Sequence, residues 1–270
     1  MIRRLKADCT ILTTGARLEA IEMARQAVKD GYSRVVSVGG DGTMNEVASG
    51  LIRTDVALGL VPLGSGNGLA RDLGLPMDFE RSVEVALTGG IRTIDSGCVN
   101  GQAFFNVMGF GYDAELGLRF NASKHRGFLN YFKIGVTVYF QYRRQTYQVE
   151  VGDGESVAFK AYLVAVANST QYGGGVRIAP QANLQDGLLN MVAITSSNPI
   201  WIPSMLFRMF AGTIDRSPKA ISLLSDRFLV RRGAPGPVHT DGEVHDMDRK
   251  LHVEVLPDSL KVVVPDDSVR

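Results

Sequence analysis

The residues best suited to chemistry lie near the start of the chain, in the run Val35-Val36-Ser37-Val38-Gly39-Gly40-Asp41-Gly42-Thr43-Met44-Asn45-Glu46-Val47. A short apolar strand signal empties into three glycines around one aspartate, then into a helix that Thr43 or Asn45 could help to cap. Such a turn suits phosphate. Glycine lets the backbone approach a ligand closely, and the free amides and positive dipole end of the helix face an anion. Asp41 repels phosphate. Its place at the tip makes sense if the phosphate arrives with Mg²⁺, or if the carboxylate handles a proton during transfer. An ordinary strand-to-helix turn would explain Gly39-Gly40 alone, but the longer string from Gly39 to Glu46 is harder to reach by chance.

Three further stretches carry candidate groups. Gly64-Ser65-Gly66-Asn67-Gly68 is GxGxG rather than the dinucleotide GxGxxG, and alone it reads as a helix-entry loop. Beside the first turn it gains weight, because Ser65 and Asn67 could then hydrogen-bond phosphate or ribose. Asp186-Gly187 is a common turn signal, though one carboxylate flanked by backbone carbonyls can also hold a hard cation. His239, Asp241, Glu243 and His245 fall at every second position and would share one face of an extended strand. They fit a mixed His/carboxylate metal cluster, a pair of carboxylates with one as general base, or simply a polar edge strand. Gly242 weakens the first of these. No Walker A sequence and no protein-kinase signature set occurs.

The elements that must position these groups change character along the chain. A strand at Cys9–Thr13 and a helix at Leu18–Asp30 come first. Strands at Arg34–Val38 and Ala57–Val61 then alternate with helices at Thr43–Leu51, up to Leu73, and at Phe79–Leu87. This alternation predicts a parallel sheet with ligands at the carboxyl ends of its strands, where both glycine turns fall. From Ile91 onward strands follow one another: Ile91–Val99, Gln102–Val107, Gln145–Val151, Val157–Asn168, Leu188–Thr195, Ala220–Val230, Val238–Asp241, His252–Leu256 and Leu260–Val264. Helices at Tyr112–Phe120, Leu129–Tyr142 and Ile200–Ala211 interrupt them. The expected organisation is an α/β domain over 1–92 and a mostly antiparallel β domain over 93–270, with a return of its last segment to the first domain as the variant of this plan.

The 270 residues are 45% apolar, enough for real cores, and a net charge of +1 argues against a nucleic-acid binder. Cys9 and Cys98 have no pairing or metal pattern and are expected as small core residues in a reducing, cytoplasmic compartment. No signal peptide and no membrane-spanning run is expected. The sequons at Asn121 and Asn168 are coincidence in such a protein. Tyr131–Tyr147 and Ile200–Ala211 interleave aromatic and basic residues, a composition that suits a membrane interface, although core packing explains most of them.

With these pieces together, the chain resembles the diacylglycerol kinase catalytic-domain family, which includes bacterial lipid kinases, sphingosine kinases and ceramide kinases. The resemblance rests on Gly39–Val47, Pro62–Asn67, Phe105–Ala114, Gly173–Pro180, Asp186-Gly187 and Asp241-Gly242-Glu243, in that order along nearly the whole chain. It implies a Rossmann-like α/β N-terminal domain of the NAD-kinase/diacylglycerol-kinase type and a β-sandwich C-terminal domain. It also implies an ATP- and Mg²⁺-dependent lipid kinase, with diacylglycerol as the default substrate, working peripherally at a membrane surface, and it is compatible with a homodimer. By the same resemblance the nucleotide is held by Gly39, Gly40, Asp41, Gly42, Thr43, Asn45 and Glu46, by Gly64, Ser65 and Asn67, and by Thr14. The Mg²⁺ site maps to Asp186 with backbone oxygens of Asn183 and Leu188. Asp241 and Glu243 form the acidic motif. Glu243 is the proton acceptor by analogy with bacterial members and Asp41 by analogy with sphingosine kinases, and both are carried forward. Family members begin with a strand and an Asn-Pro-x-Ser-Gly-like loop that has no equivalent before Cys9, so the first domain is expected to be truncated. Two other readings stand beside this one: an NAD kinase-like enzyme, and a catalytically silent lipid- or nucleotide-binding regulator.

Overall fold

A computed structural model describes residues 8–123 and 128–266, with the side chains of Asn121 and of residues 128–132 outside the described set. The chain first alternates helix and strand: α1 (Glu19–Lys29), β1 (Arg34–Gly39), α2 (Asp41–Leu51), β2 (Ala57–Pro62), α3 (Gly68–Asp72) and α4 (Phe79–Thr88). β1 and β2 pair in parallel, from Arg34 opposite Ala57 to Gly39 opposite Pro62. Both therefore end at one edge of the sheet, and their exits, the two glycine turns, emerge side by side.

The remainder comprises β3 (Gly90–Val99), β4 (Gln102–Phe104), β5 (Val107–Gly111), α5 (Tyr112–Ala122), α6 (Phe128–Gln141), β6 (Gln145–Val151), β7 (Glu155–Ala161), β8 (Leu163–Ala167), β9 (Gln171–Gly173), β10 (Val176–Arg177), β11 (Leu189–Ile194), α7 (Ile202–Ala211), β12 (Ala220–Ser225), β13 (Arg227–Arg232), β14 (Gly236–Thr240), β15 (Glu243–Met247) and β16 (Lys250–Val264). One sheet runs β1-β2-β16-β13-β6-β7, with β3 along β16 and β4 beyond it. The other is antiparallel, β12-β11-β8-β5-β14-β15. They pack face to face over Phe104, Phe110, Tyr147, Met191 and Leu251. A second core lies under α1, α2 and α3, and takes in Leu260 and Val262 of β16. A third covers the outer face of the antiparallel sheet, where Met205 and Met209 of α7 pack.

Several sequence expectations needed correction. Cys9–Thr13 is an exposed irregular stretch, not a strand, and Cys9 is exposed rather than in the core. The apolar runs Gln102–Val107, Val157–Asn168 and Ala220–Val230 each divide into two strands that belong to different sheets. Conversely, His252–Leu256 and Leu260–Val264 are one strand, β16, whose pairing with β3 shifts register between Leu256 and Leu260. β16 pairs with β13 along its first half and in parallel with β2 at Val262, so a single long strand joins the glycine-turn region to the sandwich.

β3 and β4 meet closely, and the Phe104 ring occupies the place a Cβ on Gly97 would take. Gly97→Ala is expected to cost about 1–3 kcal/mol through overpacking. In urea titrations its midpoint should fall with the slope unchanged; a wild-type midpoint would refute this packing account.

Candidate active site

The first turn presents unpartnered backbone donors. Gly40 is the extended N-cap of α2, and no side chain caps the helix. The N–H groups of Asp41, Gly42 and Thr43 open the helix and so lack carbonyl partners four residues back. Thr43 and Asn45, expected as caps, lie inside the helix instead. The turns are packed together: a Cβ on Gly64 would lie 2.7 Å from Gly40 Cα, and one on Gly66 would lie 2.7 Å from Asp41 Oδ2. Glycine is required at both positions by these approaches.

The polar side chains of the two turns are largely committed to holding them. Asp41 accepts the N–H groups of Asn67 and Gly68, each at 2.9 Å, and so caps α3 across the gap between the turns. This gives a physical reason for an aspartate at the tip that the sequence did not suggest. Asn67 has φ +51°; its Oδ1 accepts the Gly64 N–H at 3.0 Å and its Nδ2 donates to the Gly64 carbonyl at 2.6 Å. The Asn67 amide is therefore not a free ligand group. Glu46 is likewise engaged within the fold: its two oxygens accept from Leu18 N–H (2.9 Å) and Ala20 N–H (3.3 Å) and cap α1. Ser65 and Thr14 are exposed, Ser65 at the loop tip and Thr14 in the stretch before α1.

The acidic motif is a hairpin. Asp241 (φ +51°) and Gly242 (φ +89°) turn β14 into β15, with Thr240 opposite Glu243. His239, Asp241, Glu243 and His245 therefore do not line one strand face, and no group of three or more His, Cys, Asp or Glu side chains that could hold a metal exists among the described residues. Asp241 accepts four N–H donors: Asn45 Nδ2 at 2.8 Å, and the backbone of Phe105 (2.8 Å), Asn106 (2.9 Å) and Val107 (2.9 Å). Burial pushes its pKa up, and these donors oppose that shift. Glu243 is different. Its Oε2 lies 3.3 Å from the exposed Arg17 guanidinium, and its Oε1 would lie 3.9 Å from a Cβ on Gly42. Of the three acids named for catalysis, Glu243 alone carries no N–H hydrogen bond beyond an ion pair, and it stands over the start of α2.

One cluster escaped sequence reasoning. His239 Nε2 lies 2.8 Å from Asp113 Oδ2, and the Tyr172 hydroxyl donates to that same oxygen and sits 3.3 Å from His239 Nε2. A Cβ on Gly109 would come within 2.5 Å of both Asp113 and His239. The cluster braces β14 just before Asp241, and it joins α5, β9 and β14. The neighbouring Gly174 N–H donates to Gly66 at 3.2 Å, so β9 also steadies the second turn. Asp113 lies within the Phe105–Ala114 motif and His239 in the alternating run His239–His245, and nothing in their spacing of 126 residues foretells the contact.

The proposed cation loop lies elsewhere, against β3. Asp186 Oδ1 accepts the Leu188 N–H at 3.0 Å, Asn183 Oδ1 accepts the Gln185 N–H at 3.1 Å, and Gly187 N–H donates to buried Asp95 at 2.8 Å. An exposed carboxylate with one oxygen left over, beside backbone carbonyls, is an all-oxygen set of the kind a hard cation takes, so the residues fit Mg²⁺.

With the geometry in place, the comparisons define the class. The fold is that of the diacylglycerol kinases and NAD kinases, with an α/β part followed by a β-sandwich. The family described as Diacylglycerol kinase catalytic domain matches residues 1–99, and the family described as YegS C-terminal NAD kinase beta sandwich-like domain matches residues 106–264. The second match spans more than half of the chain, and the chain belongs to that family, the YegS C-terminal NAD kinase beta sandwich-like domain family. "Probable lipid kinase YegS-like" of Chromohalobacter salexigens is 34% identical over 182 residues, which cover 65% of this chain and only 58% of that relative. "Probable lipid kinase YegS" of Escherichia coli O127:H6 is 28% identical over 95% of this chain and 86% of its own length. A crystal structure of a diacylglycerol kinase from Bacillus anthracis str. Sterne superposes with a TM-score of 0.72 at 18% identity, covering 97% of this chain and 87% of that one, which is a likeness of fold.

His245 supplies a pH prediction. Burial holds its pKa below 6.5, against an opposing pull from Glu243, and its Nε2 lies 2.8 Å from the Thr240 hydroxyl. The unfolded chain therefore takes up the proton first as pH falls, and stability should drop below the unfolded value of about 6.5. His245→Gln should lose less stability than wild type between about pH 8 and pH 5 in urea titrations; equal losses would contradict the assignment.

Proposed function

We propose that the protein is an ATP- and Mg²⁺-dependent lipid kinase that moves the γ-phosphoryl group of ATP to a lipid hydroxyl, with diacylglycerol the first candidate and phosphatidic acid its product. The observation that carries this reading is the pairing of free α2 amides at Asp41, Gly42 and Thr43 with the Glu243 carboxylate beside Gly42, which is held by an ion pair with exposed Arg17 and by no backbone donor. The amides and the helix dipole hold the nucleotide phosphates, with the exposed Ser65 hydroxyl at their rim. The lipid hydroxyl oxygen attacks the γ-phosphorus in line. A new O–P bond forms, the bond to the ADP oxygen breaks, and the hydroxyl proton passes to Glu243. Asp41 and Asp241 act as positioning residues, the first by joining the two turns and the second by fixing the hairpin that presents Glu243. Mg²⁺, when bound, neutralises phosphate charge or steadies the Asp186 loop, where Asp186 and the carbonyls of Asn183 and Leu188 would hold it.

The reading is tested by offering labelled ATP with a panel of lipid alcohols and with NAD side by side. A labelled lipid supports it; label in NAD alone would move the chain to the other branch of the fold. Glu243→Gln should lower kcat by roughly 10²-fold or more with its urea midpoint unchanged, whereas near-wild-type turnover would remove Glu243 from the role. Asp41→Asn should lose activity and also about 1 kcal/mol of stability, because a helix cap is damaged. Asp186→Ala should raise the Mg²⁺ concentration needed for half-maximal rate, and an unchanged requirement would refute the cation loop.

A further inference from the structure

Helix α7 has two apolar faces and only one is covered. Met205 and Met209, one turn apart, pack against the third core. The opposite side leaves Leu206 at 48% exposure, Phe207 at 73% and Phe210 at 60%, and the preceding turn leaves Ile200 at 74% and Trp201 at 40%. No residue of α7 is buried, although eight of its ten side chains are apolar or proline. Folding alone gives no reason to show this surface to water.

Basic residues dominate the charges around it, although Asp215 lies in the turn Ile214–Arg216 that packs against α7. No acidic residue occurs from Thr195 to Ile214, or from Phe128 to Gln145 across α6 and its exit. Arg208 lies on α7, and Lys219 Nζ sits 5.2 Å from the centre of the Trp201 ring. The α6 end is fastened to the same region: the Tyr139 hydroxyl donates to the Ser197 carbonyl at 2.6 Å, and Arg144 Nη1 to the Thr195 carbonyl at 2.8 Å. That end adds exposed Phe140, at 76%, with Arg143 and Arg144. A second copy docked on this face by a two-fold axis would set Arg143, Arg144, Arg208 and Lys219 against their own copies, with Asp215 the one acid in the segments that form the face. A bilayer containing anionic lipid takes the aromatic side chains into its interface and neutralises the rim.

We propose that the face formed by Pro199–Ala211 and the exposed C-terminal end of α6 is the surface on which the protein sits on an anionic bilayer. The proposal rests on the lipid-kinase reading for its biological sense, but not for its test. No helix of the described residues is long and apolar enough to cross a membrane.

Trp201 is the sole tryptophan and lies in the face, which makes it an intrinsic probe. With vesicles of phosphatidylcholine and phosphatidylglycerol, its emission should shift to the blue and be quenched by brominated acyl chains. Binding should weaken with salt and with pure phosphatidylcholine. Phe207→Ser/Phe210→Ser should weaken vesicle binding at least about tenfold while leaving the urea midpoint and the phosphorylation of a monomerically dispersed short-chain lipid unchanged. Vesicle binding needs no turnover, so a failed kinase assay leaves this test standing. An unmoved Trp201 spectrum, equal binding by the double variant, or a dimer in sedimentation that the double variant dissociates would each overturn the proposal.

Discussion

The carboxylate of Asp241 sits among four N–H donors drawn from two remote stretches of chain, the α2 side chain of Asn45 and the successive amides of Phe105, Asn106 and Val107. Three consecutive amides converging on one acid force the crossing between the two sheets into a fixed shape. The Asn45 bond ties that crossing to the helix that opens at the glycine turn. Taking any of these donors away would leave a buried carboxylate short of partners, which is costly. The hairpin turn, the position of Glu243 and the alignment of the α2 amides all follow from this one anchor.

A division of labour among the acids results. Asp41 joins the first turn to the second by capping α3, Glu46 joins α2 to α1 by capping it, and Asp241 joins both domains. Each satisfies backbone donors at a helix start or a crossing, where such donors lack partners of their own. Glu243 differs in that its contact is an ion pair with exposed Arg17 and it caps no helix or crossing. The part-buried cluster of Asp113, His239 and Tyr172 supports the arrangement from behind, and the space it fills is why Gly109 carries no side chain.

Much of the site was legible in the sequence because glycine spacing reports where the backbone must come close. Both turns and their placement at strand exits follow from residue types alone, whereas the alternation of His239, Asp241, Glu243 and His245 suggests one extended face and hides the hairpin turn at Asp241-Gly242. The roles of Glu46 and Asn67 were not, since a polar side chain at a turn can face a ligand or the loop itself, and only the fold decides. The sheets were harder. Runs such as Val157–Asn168 look like one strand because both sheets bury apolar residues, and periodicity cannot mark Tyr162, where the chain passes from one sheet to the other. The long β16 was read as two strands because Pro257-Asp258 looks like a break, whereas the structure absorbs it as a shift of register. The Asp113, His239 and Tyr172 contact joins residues far apart in the chain, and no local pattern encodes it.

The account stands or falls on where the phosphates lie relative to Glu243. The direct measurement is a crystal structure with a non-hydrolysable ATP analogue and Mg²⁺. The account predicts phosphate oxygens on the N–H groups of Gly42 and Thr43, the Glu243 carboxylate facing the terminal phosphate, and Asp241 still bound to its four donors. Phosphates bound away from the start of α2, or Glu243 turned from them while Asp241 releases its amides to face the nucleotide, would contradict it.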